Sequence, residues 1–217
     1  MKESGAQRRR LASALRSLSV EGVTSDGPHE LYQEAAETLE DVVKRLREHP
    51  RRIRNVGFRE GRDKEGGREF DFGMFDLSPV SGAANPLAPP LKVEREEDRR
   101  AVGTVVFPSS VGAGGGSVHH GYLAACVDEV FGGVLAWMGH PVMTGILNVR
   151  FLGLCPVGEE VRIEGWVRRV SGEVVFTEGR VEAAGRLVAE ADAAFFIVGE
   201  EQYKRFAEER NRKLLVG

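Results

Sequence analysis

The chain has little of what would staple it or anchor it in a membrane. Its 217 residues include 2 cysteines, Cys126 and Cys155, too few for the disulfide framework of a small secreted domain and better suited to a reducing compartment. Charge of one sign does not dominate: 30 Lys and Arg stand against 33 Asp and Glu, a formal net charge of −3. That balance argues against nucleic acid as a partner. The basic clusters Arg8-Arg9-Arg10 and Arg51 to Arg54 are local and read as solvated faces. No apolar run reaches the length of a membrane span. The opening MKESGAQRRRLASALRSL is basic but lacks the apolar stretch of a signal peptide. A cytoplasmic protein with no membrane contact is therefore expected. Internal repeats and low-complexity tracts are absent too.

What is present is concentrated between Gly112 and Met138, GAGGGSVHHGYLAACVDEVFGGVLAWM. A glycine-rich loop ends in His119 and His120 and opens into a segment, Tyr122 to Met138, that is apolar on nearly every side. Such a helix is a buried one. It carries Asp128 near its middle, with Ala124, Ala125, Phe131 and Gly132 one turn away, so this carboxylate is expected inside the protein. A buried carboxylate is costly unless it is paired or used. No Gly-Lys-Ser/Thr follows the glycines, and the spacing of a dinucleotide fingerprint is missing. No acidic residue stands at zinc-motif spacing beside the adjacent histidines. Neither a metal nor a cofactor is expected. Cys126 lies about 10 Å along a helix from His119, beyond hydrogen-bond reach, and reads as core. Trp137 and Trp166 read as core or rim.

Elsewhere the chain divides by pattern. Residues 1–60 read as a helical N-terminal extension: Leu11, Leu15 and Leu18 recur at helical spacing. Leu31, Ala35, Leu39, Val42, Val43 and Leu46 form a second stripe ended by Pro50. Both helices should pack on something else and carry no chemistry. Residues 61–99, with Gly66, Gly67, Pro79, Gly82, Pro86, Pro89 and Pro90, read as an irregular flap or linker. The rigid, apolar Asn85-Pro86-Leu87-Ala88-Pro89-Pro90 favours a flap lying over a surface. Residues 100–199 hold a strand at 101–107, the helix, and four strand-like runs at 143–152, 159–170, 173–183 and 187–198. Short turns at Ser171-Gly172 and Gly185-Arg186 suggest an antiparallel meander. Residues 200–217 read as a charged C-terminal helix packing through Tyr203 and Phe206. The fold class is α+β, an antiparallel sheet curled around one central helix. The helix's outward side then needs a cover, and a second copy of the chain is the simplest one.

The spacing of His120 and Asp128 constrains any shared chemistry. Eight helical residues span about 12 Å, whereas a reacting carbon lies about 3 Å from both its nucleophile and its oxyanion donors. One chain cannot bring both groups to one atom, but two antiparallel helices in a dimer would set the tip of one beside the middle of the other. The first turn of a helix offers unpaired N–H groups and partial positive charge, which suit an oxyanion. The approach Gly112 to Gly116 would let substrate or backbone pass closely. Asp128 of the second chain would activate water or attack an acyl carbon, and burial would raise its pKa. Thr144, after the helix break, is placed to hold a water or that carboxylate.

On these residues the segment from Gly116 to Val198 resembles the hotdog-fold acyl-CoA thioesterases of the PaaI type. In that family a His-Gly-Gly opens the helix and an Asp follows nine residues after the His. Here His119 and Asp128 keep that spacing, while His120 replaces the first Gly and Gly121 keeps the second. Thr144, Pro156-Val157-Gly158 and Leu187-Val188-Ala189-Glu190-Ala191 also match, and Asn85 to Pro90 resembles an extension of bacterial members. The resemblance implies hydrolysis of an acyl-CoA, or of a thioester on another carrier such as acyl carrier protein, by a homodimer or homotetramer. It implies Asp128 as base or nucleophile, the His120 amide with Gly121 at the oxyanion site, His119 shaping the helix start, and Thr144 positioning water. Tyr122, Asn148 and Arg150 fall to substrate binding. Relatives carry basic residues where this chain has Leu152 and Gly153, so Arg150, Arg168 or Arg169 would meet the CoA phosphates. An enoyl-thioester hydratase of this fold would need an acidic residue five before a His, and none of the 5 histidines has one. The alternative is a non-catalytic acyl-thioester binding or assembly module.

Overall fold

A computed structural model describes residues 2–50, 75–97, 99–135, 142–199, 201 and 205, omitting the side chains of 2–4. Helices α1 (Lys2–Thr24) and α2 (His29–Arg47) come first. Strands β1 (Lys92–Glu96) and β2 (Arg100–Val106) precede α3 (His120–Leu135). Strands β3 (Val142–Phe151), β4 (Glu160–Ser171), β5 (Val174–Ala183) and β6 (Arg186–Ile197) complete the set. They form one 6-stranded sheet in the order β1-β2-β4-β5-β6-β3, antiparallel at every pairing.

The sheet curls around α3. Leu123, Cys126, Val127, Val130, Phe131, Val134 and Leu135 of the helix are buried against inward side chains such as Val161, Ile163, Val175, Val181 and Phe195. The close fit depends on missing side chains. A Cβ on Gly103 would lie 2.5 Å from Val130, and one on Gly165 would lie 2.8 Å from the Phe131 ring. At Gly179 it would lie 2.6 Å from the same ring and 2.4 Å from the Glu164 carbonyl oxygen. Gly165 and Gly179 face each other across β4 and β5, forming a notch for Phe131.

Two expectations need correction. The four later runs are not one meander: only β4, β5 and β6 are, because β3 pairs with β6 at the far edge. The connection from β3 to β4 crosses the sheet, and alternation within strands carries no information about which strands become neighbours. The stretch 61–99 is also not wholly irregular. It contains β1, a charged edge strand (KVERE) whose alternation has little apolar signal, and an ordered set of turns over 75–91.

In the N-terminal helices the expected leucine stripe of α1 is not its buried contact. Leu11 and Leu18 are exposed and Ala12 is buried; a small residue lets the helix lie close. Helix α2 buries no residue, and its stripe is at most half-buried among the described residues, at Ala35, Leu39 and Val42. The expected C-terminal helix, with Tyr203 and Phe206, and the helix end at Trp137 lie outside the described residues apart from positions 201 and 205.

Candidate functional site

The site is built where α3 meets the edge strand β3. Thr144 Oγ1 donates a 2.9 Å hydrogen bond to Asp128 Oδ1. An irregularity in β3 makes this contact possible. The register runs Thr144 opposite Phe195 and then Ile146 opposite Ala194, leaving Gly145 as an extra residue. On β6 the inward residues Ala189, Ala191, Ala193 and Phe195 are buried, and they face Phe151, Val149, Leu147 and Thr144. Without the bulge, strict alternation would turn Thr144 to the outer face. Bulges beside functional sites re-aim side chains in this way. A Cβ on residue 145 would overlap the Phe196 ring, so any larger residue there has to displace that ring. The sequence reading missed Gly145, although a glycine inside a strand pattern is itself a bulge signal.

Asp128 is half-buried rather than enclosed. The sheet covers only one side of α3. Gly121, Ala125, Asp128 and Gly132 recur at helical spacing, and none of them is fully buried. A Cβ on Gly132 would meet nothing within 4 Å. Burial nevertheless raises the Asp128 pKa; the Thr144 hydrogen bond opposes this and the neighbouring charge of Glu129 adds to it.

At the helix start, His119 Nδ1 accepts a 3.1 Å hydrogen bond from the Gly121 amide, the part an N-cap side chain plays. The His119 carbonyl accepts from the Tyr122 amide at 3.0 Å. His120 is the first helical residue, and its ring lies parallel to Phe151 of β3, with centroids 4.0 Å apart and planes at 5°. Tyr122 is exposed on the same first turn.

The glycines before the helix have two kinds of surroundings. Gly114, Gly115 and Gly116 have φ of 92°, 60° and 73°, which favours glycine. A Cβ on any of them would meet nothing within 4 Å. These three serve a tight turn, whereas at Gly112 the backbone does pass closely, a Cβ there lying 3.0 Å from the Ser109 carbonyl oxygen. The Val118 amide donates to the Cys155 carbonyl at 2.7 Å and the Val157 amide to that of Gly116 at 3.0 Å, fixing the turn against the chain leading into β4.

The expected groups thus fall into separate clusters. Asp128 and Thr144 meet; His119, His120 and Gly121 share the helix tip about two turns away. Asn148 and Arg150 lie on the outer face, opposite the side where Thr144 meets Asp128. Asn148 Nδ2 donates to Asp192 Oδ2 at 2.9 Å, and Arg150 pairs with Glu190. Arg168 pairs with Glu178 at 2.6 Å, and the Arg169 guanidinium lies 3.7 Å from the Phe176 ring centroid. Cys126 is buried, with its thiol pushed up to about 12, chiefly by burial. Among the described residues no three of His, Cys, Asp or Glu converge as metal ligands would, and no helix is long and apolar enough to cross a membrane.

Comparison with known proteins adds an independent line. Residues 115–190 match the sequence model of the thioesterase superfamily. The crystal structure of a thioesterase-superfamily protein superposes with a TM-score of 0.73 at 27% identity, covering 88% of this chain and 90% of that one. Shorter matches include the Escherichia coli PaaI protein of the phenylacetic acid degradation operon (TM-score 0.49, 17% identity, 51% and 80% of the two chains). A hypothetical thioesterase protein of Streptococcus pneumoniae with coenzyme A gives 0.48, 22%, 50% and 89%. None of the curated proteins matches this chain.

Proposed function

We propose that the protein, whose residues 115–190 match the thioesterase superfamily model and whose fold is the hotdog fold, hydrolyses an acyl-CoA, or a similar acyl thioester, to free acid and thiol. The observation that carries this reading is the Asp128–Thr144 pair, a half-buried carboxylate held at 2.9 Å by a hydroxyl that a bulge turns inward. In the proposed reaction Asp128 takes a proton from water. The water oxygen bonds to the thioester carbon, and the carbonyl oxygen becomes an oxyanion. The His120 amide, at the positive end of α3, with Gly121 beside it, stabilises that charge. Collapse breaks the carbon–sulfur bond, and the departing thiolate receives the proton.

The helix tip and the carboxylate belong to different protomers in this reading. What supports that is the uncovered stripe of Gly121, Ala125, Asp128 and Gly132, small enough for a second helix to approach closely, with Asp128 in its middle. The edge strand β3 adds exposed Met143 and Ile146, apolar side chains on an unpaired edge. Both favour a homodimer. His119 holds the helix start, Thr144 orients Asp128 and its water, and Tyr122 sits at the acyl entrance. Asn148 and Arg150 enter only if the carrier runs over the edge of the sheet onto its outer face.

The test is thiol release from a panel of acetyl-, octanoyl- and benzoyl-CoA by the purified protein. Asp128→Asn is expected to lower turnover by roughly 10²–10⁴-fold while leaving the oligomer intact. Equal turnover in that variant contradicts the assignment. Binding without turnover in the unaltered protein would favour the acyl-thioester binding module. In single turnover in ¹⁸O-water, label entering the Asp128 carboxylate would indicate direct attack by Asp128 instead of general-base use.

A further inference from the structure

Glu129 follows Asp128 in α3 and points to a different neighbour. Its Oε1 accepts hydrogen bonds from two serine hydroxyls of the flap, Ser78 at 2.7 Å and Ser81. Hydroxyl-to-carboxylate hydrogen bonds are stronger than neutral ones. Ser78 Oγ also accepts from the Val80 and Ser81 amides at 3.1 and 3.3 Å, so the turn presenting both hydroxyls is preformed. That turn closes only around Gly82, where a Cβ would lie 2.5 Å from the Ser78 backbone. Further bonds knit the flap internally: Ala84 N to the Asp76 carbonyl at 2.8 Å, and Asn85 Nδ2 to that of Leu77 at 3.1 Å. From the other side α1 holds it through Arg9 Nε on Asp76 at 2.8 Å and Arg16 Nη1 on the Asn85 carbonyl at 2.8 Å.

The geometry points to Glu129 as a positioning residue: through Ser78 and Ser81 it fastens residues 75–91 onto α3 beside Asp128, making the flap a fixed wall of the reaction site, with α1 as its buttress. This rests on the hydrolase reading for its functional half alone. The clamp gives the N-terminal extension a task, because α1 holds the flap and the flap is bound to Glu129, the residue next to the proposed base. A wall of this kind acts on the bound acyl group more than on the chemical step, so its loss should weaken binding first.

Amide hydrogen exchange across residues 75–91, together with steady-state kinetics on the acyl-CoA panel, tests it on the full chain. Glu129→Ala and the double variant Ser78→Ala/Ser81→Ala should each speed exchange at Gly82, Ala84 and Asn85 about tenfold while the sheet stays protected. KM should rise about tenfold with kcat changing much less. Glu129→Gln, whose amide oxygen still accepts from both serines, should restore most of the protection and the KM. Unchanged flap exchange in Glu129→Ala and in the double serine variant overturns the clamp. Faster exchange with unchanged KM overturns the wall. If the unaltered protein hydrolyses nothing, the hydrolase reading and the wall fail together while flap exchange still decides the clamp. Asp128→Asn should stop turnover with flap exchange unaltered.

Discussion

Asp128 sits in surroundings that disfavour its charge, and this has consequences for both stability and rate. Its folded pKa is raised above the ordinary carboxylate value, first by burial and also by Glu129. The folded state therefore holds the proton more tightly than the unfolded one. Stability contributed by the protonated form is present below the ordinary carboxylate pKa and is lost as pH rises through the raised value. Asp128→Asn should then melt higher than the unaltered protein at neutral pH, by roughly 1–3 °C, with the gap closing in acid. Calorimetry at pH 7 and pH 4 measures this, and an unaltered or lower melting temperature at pH 7 would contradict it. For the proposed reaction the base must be ionised, so the acid limb of kcat/KM should lie above that of an ordinary carboxylate. Thr144 is the influence that lowers the Asp128 pKa. Thr144→Val should move the limb further up and cost about tenfold or more in rate, read from a pH–rate profile.

At the scale of elements, three closely set glycines let the helix lie in the sheet. Gly179→Ala would drive a methyl group into the Phe131 ring and the Glu164 carbonyl. Overpacking of this kind costs about 1–3 kcal/mol, measurable by urea denaturation; a neutral result would show that α3 can shift freely. The turn before α3 makes a different prediction. At Gly116, with φ of 73° and open space around its Cα, alanine would be strained by conformation alone, by about 1 kcal/mol or slightly more.

Most elements were legible in the sequence because their local patterns are strong. The apolar run of α3 and the alternation of Val161, Ile163 and Val167 each announce their element. Partner choice was not legible. Nothing in the residues of β3 states that it passes β4 and β5 to pair with β6. Strand β1 was hidden because an edge strand of alternating charges lacks the apolar face that marks a strand. In the site, Thr144 is legible as a group placed to hold a water or the Asp128 carboxylate, but the cause of its contact with Asp128 is not. Gly145 determines which face Thr144 occupies, through a register that only the pairing with Phe195 and Ala194 reveals. The Glu129 clamp was invisible for a similar reason, since its donors lie 51 and 48 residues away.

At the scale of the molecule, the two faces of the sheet have opposite characters. The inner face is taken by α3, whereas the outer face carries ion pairs: Arg180 with Glu164 at 2.9 Å, Arg162 with Glu164 at 2.9 Å and Arg168 with Glu178 at 2.6 Å. These exposed pairs add little stability singly, but they keep that face polar over β4 and β5. Exposed apolar side chains on that face gather at its β3 edge, at Met143, Ile146 and Phe196, and in the proposed dimer a partner paired along this edge brings its own helix tip to Asp128.

The most direct test of that shared site is complementation between two inactive variants. His120→Pro removes the proposed oxyanion amide at the first helical position, where proline is tolerated, and Asp128→Asn removes the base. Each should be inactive alone. In a randomly mixed population about half of the dimers are mixed, and each has one intact site, so about a quarter of the unaltered activity should return. Mixed dimers that form and remain inactive would contradict a site built from two protomers.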